Sequence, residues 1–174
     1  MPVDERPSAR TLRELLLELR SGYVLHRPVL VDVTPGVRDG GDSTLERTLT
    51  IQLPAAGTDD LSNELAQCSF MLLGPNTMAA SMDSPVTIGR SRKCDVRVDN
   101  DSVSKVHGSV VFDQDRSAYM LVDENSRNGT RLNGTQLTPG VAIPVYSGAQ
   151  LAFGDATFVF IDPPTLRKLA RITT

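Results

Sequence analysis

At 174 residues the chain has room for one ordinary globular domain and an appendage of a few dozen residues, but not for two full-sized domains. Hydrophobic residues make up 40% and charged residues 22%, which disfavours both disorder and a membrane-embedded class. The formal net charge of -3 argues against a surface built as a whole for nucleic acid, which draws on an excess of Lys and Arg.

The first residues, MPVDERPSAR, carry acids and a Pro where a secretory signal needs a positive start and an apolar stretch. No run approaches the roughly 18 apolar residues that cross a bilayer, so a cytoplasmic protein without membrane contact is expected. Leu12, Leu15, Leu16 and Leu19 recur at helical spacing, Thr11 and Glu14 offer a capping box, and Gly22 is a natural stop; a helix is expected over about 9–20. Such a helix is marginal alone in water, so its leucine stripe should dock on the main domain of its own chain or, alternatively, on a partner protein.

Strands are expected at about 29–33 and 48–53; in the second, Leu49, Ile51 and Leu53 alternate with Thr48, Thr50 and Gln52. GVRDGGDST and the stretch 54–60 read as loops. Residues 1–66 are therefore expected to be an extension, followed by a β domain over 67–162 and a tail over 163–174 of one or two helical turns. Within 67–162 the runs SFMLL, PVTI, DVRV, GSVVF, AYMLV, GTRL, AIPVY, AQLAF and TFVFI are separated by Gly, Asn, Asp and Pro, the texture of an all-β sandwich or barrel. Asn128-Gly129 and Asn133-Gly134 are both hairpin-turn dipeptides. Cys68 and Cys94 have no CxxC or His-Cys cluster around them; two buried thiols are expected rather than a disulfide.

Three loops hold residues suited to an anion and a peptide main chain. The first is Gly89-Arg90-Ser91, in which Gly permits a tight turn and Arg supplies a planar fork of donors that fits a phosphate dianion. The second, Ser104-Lys105-Val106-His107, offers a hydroxyl, a cation and an imidazole. In the third, Ser126-Arg127-Asn128-Gly129-Thr130, an amide that both donates and accepts could hold a peptide backbone. The plainer alternatives are a surface Arg90 paired with a carboxylate such as Asp95, a turn-capping Ser104, a solvated Lys105, and Asn128-Gly129 as a turn only.

The order and placement of Gly89-Arg90, Ser104 to His107, and Asn128-Gly129 among β-type runs resembles the forkhead-associated (FHA) domain family over about residues 68–162. The resemblance implies a β-sandwich of about eleven strands in two sheets, with its ligand across loops at one end. It further implies that Arg90, Ser104 and Lys105 bind phosphate, that Arg127 and Asn128 bind peptide, and that Gly89, His107 and Gly129 support the site, with His107 as internal scaffolding. The ligand implied is a threonine-phosphorylated protein or peptide, made by an upstream Ser/Thr protein kinase, with no cofactor or metal.

Nothing in the chain assembles an enzyme's set of acid, base and nucleophile. His26 and His107 are its only histidines, and there is no GxSxG, HExxH or Walker sequence. Aromatics make up 5%, which offers no stacking platform for nucleic acid. The expected function is a non-catalytic phosphothreonine reader in kinase signalling, the alternative a phosphate-independent assembly scaffold using the N-terminal helix or a sheet face. Thr58, in the acidic context TDDL, could itself become a phosphorylated ligand for a second copy.

Overall fold

The computed structural model describes residues 9–34, 63–74 and 84–172. The strand expected at 48–53, the loops around it and Thr58 lie outside them. Helix α1 spans Leu12–Arg20. Its start is set by Thr11, whose hydroxyl accepts from the Glu14 amide at 3.3 Å while a Glu14 carboxylate oxygen accepts from the Thr11 amide at 3.2 Å. This reciprocal cap satisfies donors that the first turn leaves unpaired, and Thr11→Ala should cost about 1 kcal/mol in an equilibrium urea unfolding curve.

Among the described residues eleven strands follow: β1 (Val29–Asp32), β2 (Phe70–Leu72), β3 (Val86–Gly89), β4 (Val96–Arg97), β5 (Gly108–Asp113), β6 (Ala118–Asp123), β7 (Thr130–Leu132), β8 (Thr135–Gln136), β9 (Ile143–Val145), β10 (Gln150–Phe153) and β11 (Ala156–Ile161). A short helix α2 (Asn63–Ala66) precedes β2, and α3 (Pro163–Ile172) ends the described chain. One sheet runs β2-β1-β11-β10-β7-β8 and the other β4-β3-β5-β6-β9. All pairings are antiparallel except β3 with β4. The expected all-β sandwich is the fold observed.

The pleat explains the unbroken apolar run FVFI. In β11, Phe158 and Phe160 face the core between the sheets, and Val159 and Ile161 face the helices. β1 divides likewise, with Leu30 inward and Val29 and Val31 outward. On that outer face lie Leu12, Leu15 and Leu16 of α1 and Leu166, Leu169 and Ala170 of α3. All three α1 leucines are fully buried, so the stripe docks on its own chain.

This architecture bears out one local expectation and alters others. Asn133-Gly134 is a two-residue hairpin turn, with φ of 50° and 82°, and it creates β8, a strand too short and polar to read from sequence. Asn128-Gly129 is not a hairpin: β6 and β7, on either side, belong to different sheets. The segment after Asp162 forms ten residues of helix, longer than one or two turns, because its apolar face has α1 to pack on. A boundary near residue 66 cuts across hydrogen-bonded structure, since β1 lies between β2 and β11 with Val29 opposite both Leu72 and Ile161. Both cysteines are free thiols; Cys94 is buried but Cys68 only half so. Among the described residues no helix is long and apolar enough to cross a membrane.

Candidate functional site

The three loops singled out by sequence meet at one end of the sandwich, and main-chain geometry joins the first two. Arg90 N donates to the Ser104 carbonyl at 2.9 Å, Ser91 N to the Lys105 carbonyl at 3.0 Å, and His107 N to the Ile88 carbonyl at 2.9 Å. The Ser104 loop thus runs along the end of β3. It runs so close that a Cβ on Gly89 would overlap the Lys105 carbonyl oxygen, which is backbone and cannot swing away. Only Gly fits there.

Arg90 leaves the end of β3 with an exposed side chain. Its Nε donates to the Val103 carbonyl at 3.3 Å, and its Nη1 lies 3.7 Å from the Asp101 carboxylate. The plainer alternative for Arg90 was a pair with a carboxylate such as Asp95; Asp95 Oδ2 accepts instead from the Thr87 amide at 2.9 Å and the Thr87 hydroxyl at 2.7 Å, bracing the loop from below.

Ser104 is half-buried, and its Oγ accepts from the Arg127 amide at 2.9 Å. The hydroxyl proton is left to donate outward. Behind it sits His107, fully buried, whose Nδ1 accepts from the Ser104 amide at 3.0 Å. An acceptor Nδ1 requires the proton on Nε2, which then donates to the Gly129 carbonyl at 3.1 Å. One neutral ring therefore ties the second loop to the third. Burial pushes the imidazole pKa below its ordinary value, with the Gly129 bond and the Asp123 charge opposing. Phe153 meets the ring edge-on at 5.5 Å between centroids.

The third loop hangs on Asp123, a residue the sequence reading missed. Its carboxylate accepts from the Ser126 amide at 3.1 Å, the Ser126 hydroxyl at 2.6 Å and the Thr130 hydroxyl at 2.5 Å. Burial alone would raise its pKa; these bonds and the neighbouring His107 overcome that and hold it below the ordinary carboxylate value. The Asp-x-x-Ser spacing of a side-chain-closed turn was the signal available. Gly129 has a φ of +75°, and a Cβ there would stand 2.7 Å from Gln136 Nε2.

Asn128 is exposed, but its amide nitrogen already donates to the Ser102 carbonyl at 2.7 Å. Its amide oxygen and one N–H remain for a ligand. Ser102, also missed, gathers the neighbourhood: its hydroxyl donates to Asn100 Oδ1 at 2.8 Å and accepts from the Asp155 amide at 2.8 Å. That link joins the second loop to the β10–β11 turn, a contact with no signal in local sequence. Lys105 and Arg127 extend from the exposed rim of the same loops. Arg90, Ser104, Lys105, Arg127 and Asn128 are thus brought to one surface, with Gly89, His107 and Gly129 beneath it. Such a surface offers a guanidinium, a hydroxyl donor and an amide of both polarities, and it fits a phosphate on an extended peptide.

Comparison with known proteins agrees with the fold. The sequence model described as "FHA domain" matches residues 86–154. A mouse (Mus musculus) protein, "Angiogenic factor with G patch and FHA domains 1", is 48% identical over 56 residues, covering 31% of this chain and 8% of that protein. Its human (Homo sapiens) counterpart is 43% identical over 56 residues, with the same coverage. The chain therefore matches only a small part of the length of these relatives. Among solved structures, the N-terminal FHA domain of Rad53p from S. cerevisiae, in complex with a phosphothreonine peptide, superposes with a TM-score of 0.51 at 16% identity, covering 82% of this chain and 98% of that one. An engineered FHA domain with a Myc-pTBD peptide gives a TM-score of 0.50 at 14% identity, covering 82% and 95%. Residues 86–154 thus match the FHA domain model, and the two-sheet sandwich around them, from β1 to β11, has the fold of solved FHA domains, with the three loops at one end of it.

Proposed function

We propose that this chain is a non-catalytic reader of threonine-phosphorylated peptides, in which Arg90 and Ser104 hold the phosphate, Lys105 reaches it from the rim, and Arg127 and Asn128 hold the peptide. The observation that supports the reading is the main-chain bond from Arg90 to Ser104 at 2.9 Å, which joins the backbone of the residue that carries the guanidinium to that of the residue that carries the hydroxyl. A phosphothreonine brings about -1.5 to -2 charges and three acceptor oxygens to those donors. Rad53p's FHA domain, of the same fold, was solved with a phosphothreonine peptide. The reading implies an upstream Ser/Thr protein kinase, signalling as the context and the cytoplasm as the place. The reader itself comprises about residues 67–162, together with β1 from the preceding segment.

Calorimetric titration with a phosphothreonine peptide library and its unphosphorylated twin tests this. Binding is expected for phosphorylated members alone, and Ser104→Ala should weaken it about tenfold by removing one charge-assisted bond. Equal binding of both libraries would sink the proposal. An assembly role through the leucine face is disfavoured, because Leu12, Leu15 and Leu16 have no exposed surface to offer.

A further inference from the structure

Between Ser91 and Cys94 the chain makes a tight turn whose two central residues are both cations, Arg92 and Lys93. The turn is held at both ends. Cys94 N donates to the Ser91 carbonyl at 3.1 Å, Lys93 N to the Ser91 hydroxyl at 3.2 Å, and the buried Cys94 thiol to the Lys105 carbonyl at 3.1 Å. Its tip is therefore a fixed feature of the rim and adjoins the Ser104–Lys105 segment through the Ser91 N to Lys105 bond at 3.0 Å.

Neither cationic side chain has a hydrogen-bond or ion-pair partner among the described residues. Among the described residues, carboxylates of the neighbouring loops have partners of their own: Asp95 with Thr87, Asp99 with Arg97, Asp101 with Arg90, Glu124 with Ser109, and Asp123 with Ser126 and Thr130. In a chain of net charge -3, two adjacent unpaired cations on a rigid turn beside a phosphate-binding loop are a local concentration of positive potential that one phosphate does not use up. Like charges side by side repel, and a ligand that brings a counter-charge relieves the repulsion.

We infer that Arg92 and Lys93 form a second anionic subsite, so that the preferred ligand is a phosphothreonine peptide carrying a further negative group, carboxylate or phosphate, in the segment that passes the 91–94 turn. This deepens the phosphopeptide reading and rests on it.

The experiment measures affinity for peptides sharing one phosphothreonine core, with flanks made neutral, Asp-rich, or bearing a second phosphate on either side, against the full chain and an Arg92→Gln/Lys93→Gln variant. The wild type should bind one anionic-flank peptide about tenfold more tightly than the neutral one, with the gain shrinking as salt rises. In the variant that gain should vanish while the neutral-flank affinity stays within about twofold. The Asp and phosphate arms identify which anion the subsite takes. Equal binding of neutral and anionic flanks to the wild type overturns the subsite but leaves the phosphopeptide reading standing; binding of no phosphopeptide overturns both. Heparin binding that depends on Arg92 and Lys93, with the peptides bound equally, would make the turn a general polyanion contact and also overturn the subsite.

Discussion

Arg90→Ala is expected to weaken binding of a phosphothreonine peptide about a hundredfold, to the edge of detection by calorimetry, while leaving the melting temperature nearly unchanged. A hydrogen bond between charged partners is worth about 1.5–3 kcal/mol, and a guanidinium can make two in parallel to one phosphate. Losing the pair while the dianion stays in place accounts for the factor. The fold loses little, because the side chain is exposed and makes only a 3.3 Å bond to the Val103 carbonyl and a 3.7 Å contact with Asp101. Arg90→Lys should fall in between, since an ammonium keeps the charge but not the planar fork. Asp101→Asn should act in the opposite sense and raise affinity two- to fivefold, an effect on the order of one exposed charge contact, by freeing the guanidinium of a competing carboxylate. If Arg90→Ala and wild type bound alike, the anion clamp would have to be sought elsewhere on the rim.

The part of this site that could be read from sequence is the part written in contiguous residues. Gly89-Arg90, Ser104 to His107 and Asn128-Gly129 are each short unbroken motifs, so they survive in the linear chain although Gly89, His107 and Asn128 act on other loops. The α1 stripe and its Thr11–Glu14 cap were legible for the same reason. What stayed hidden depends on chain segments distant in sequence. Asp101 reaches Arg90 only because the β4–β5 loop folds back past the end of β3, so proximity in sequence favoured Asp95 instead. Ser102 binds the Asp155 amide, and Asn128 spends a donor on Ser102, through contacts made only when the sheets close on each other. The α1–α3 layer joins opposite ends of the chain; neither helix alone shows that β1 and β11 would present Val29, Val31, Val159 and Ile161 to both.

The second large effect concerns His107, where site and stability meet. His107→Ala should cost about 3 kcal/mol in chemical denaturation and at least tenfold in phosphopeptide affinity. It strands the buried Ser104 amide and Gly129 carbonyl, each worth about 1–3 kcal/mol when unpaired, and empties space beside Phe153. Acid should break the first of these bonds without mutation. A protonated ring carries a donor on both nitrogens, and the Nδ1 proton would then point at the Ser104 N–H. Because burial lowers the folded-state pKa below the ordinary 6.5, the unfolded chain takes up this proton first. The neutral ring's contribution is thus complete above about pH 6.5 and is lost as pH falls from there toward the depressed folded value, with a slope of at most about 1.4 kcal/mol per pH unit. Asp123, held below the ordinary carboxylate value, gives way only in more acidic solution and so leaves this window to the histidine. Ligand-free thermal melts in steps from about pH 7.5 to about pH 5 should show a fall in wild-type stability that is missing in His107→Ala. Parallel curves for the two proteins would remove His107 as the buried neutral link between the loops.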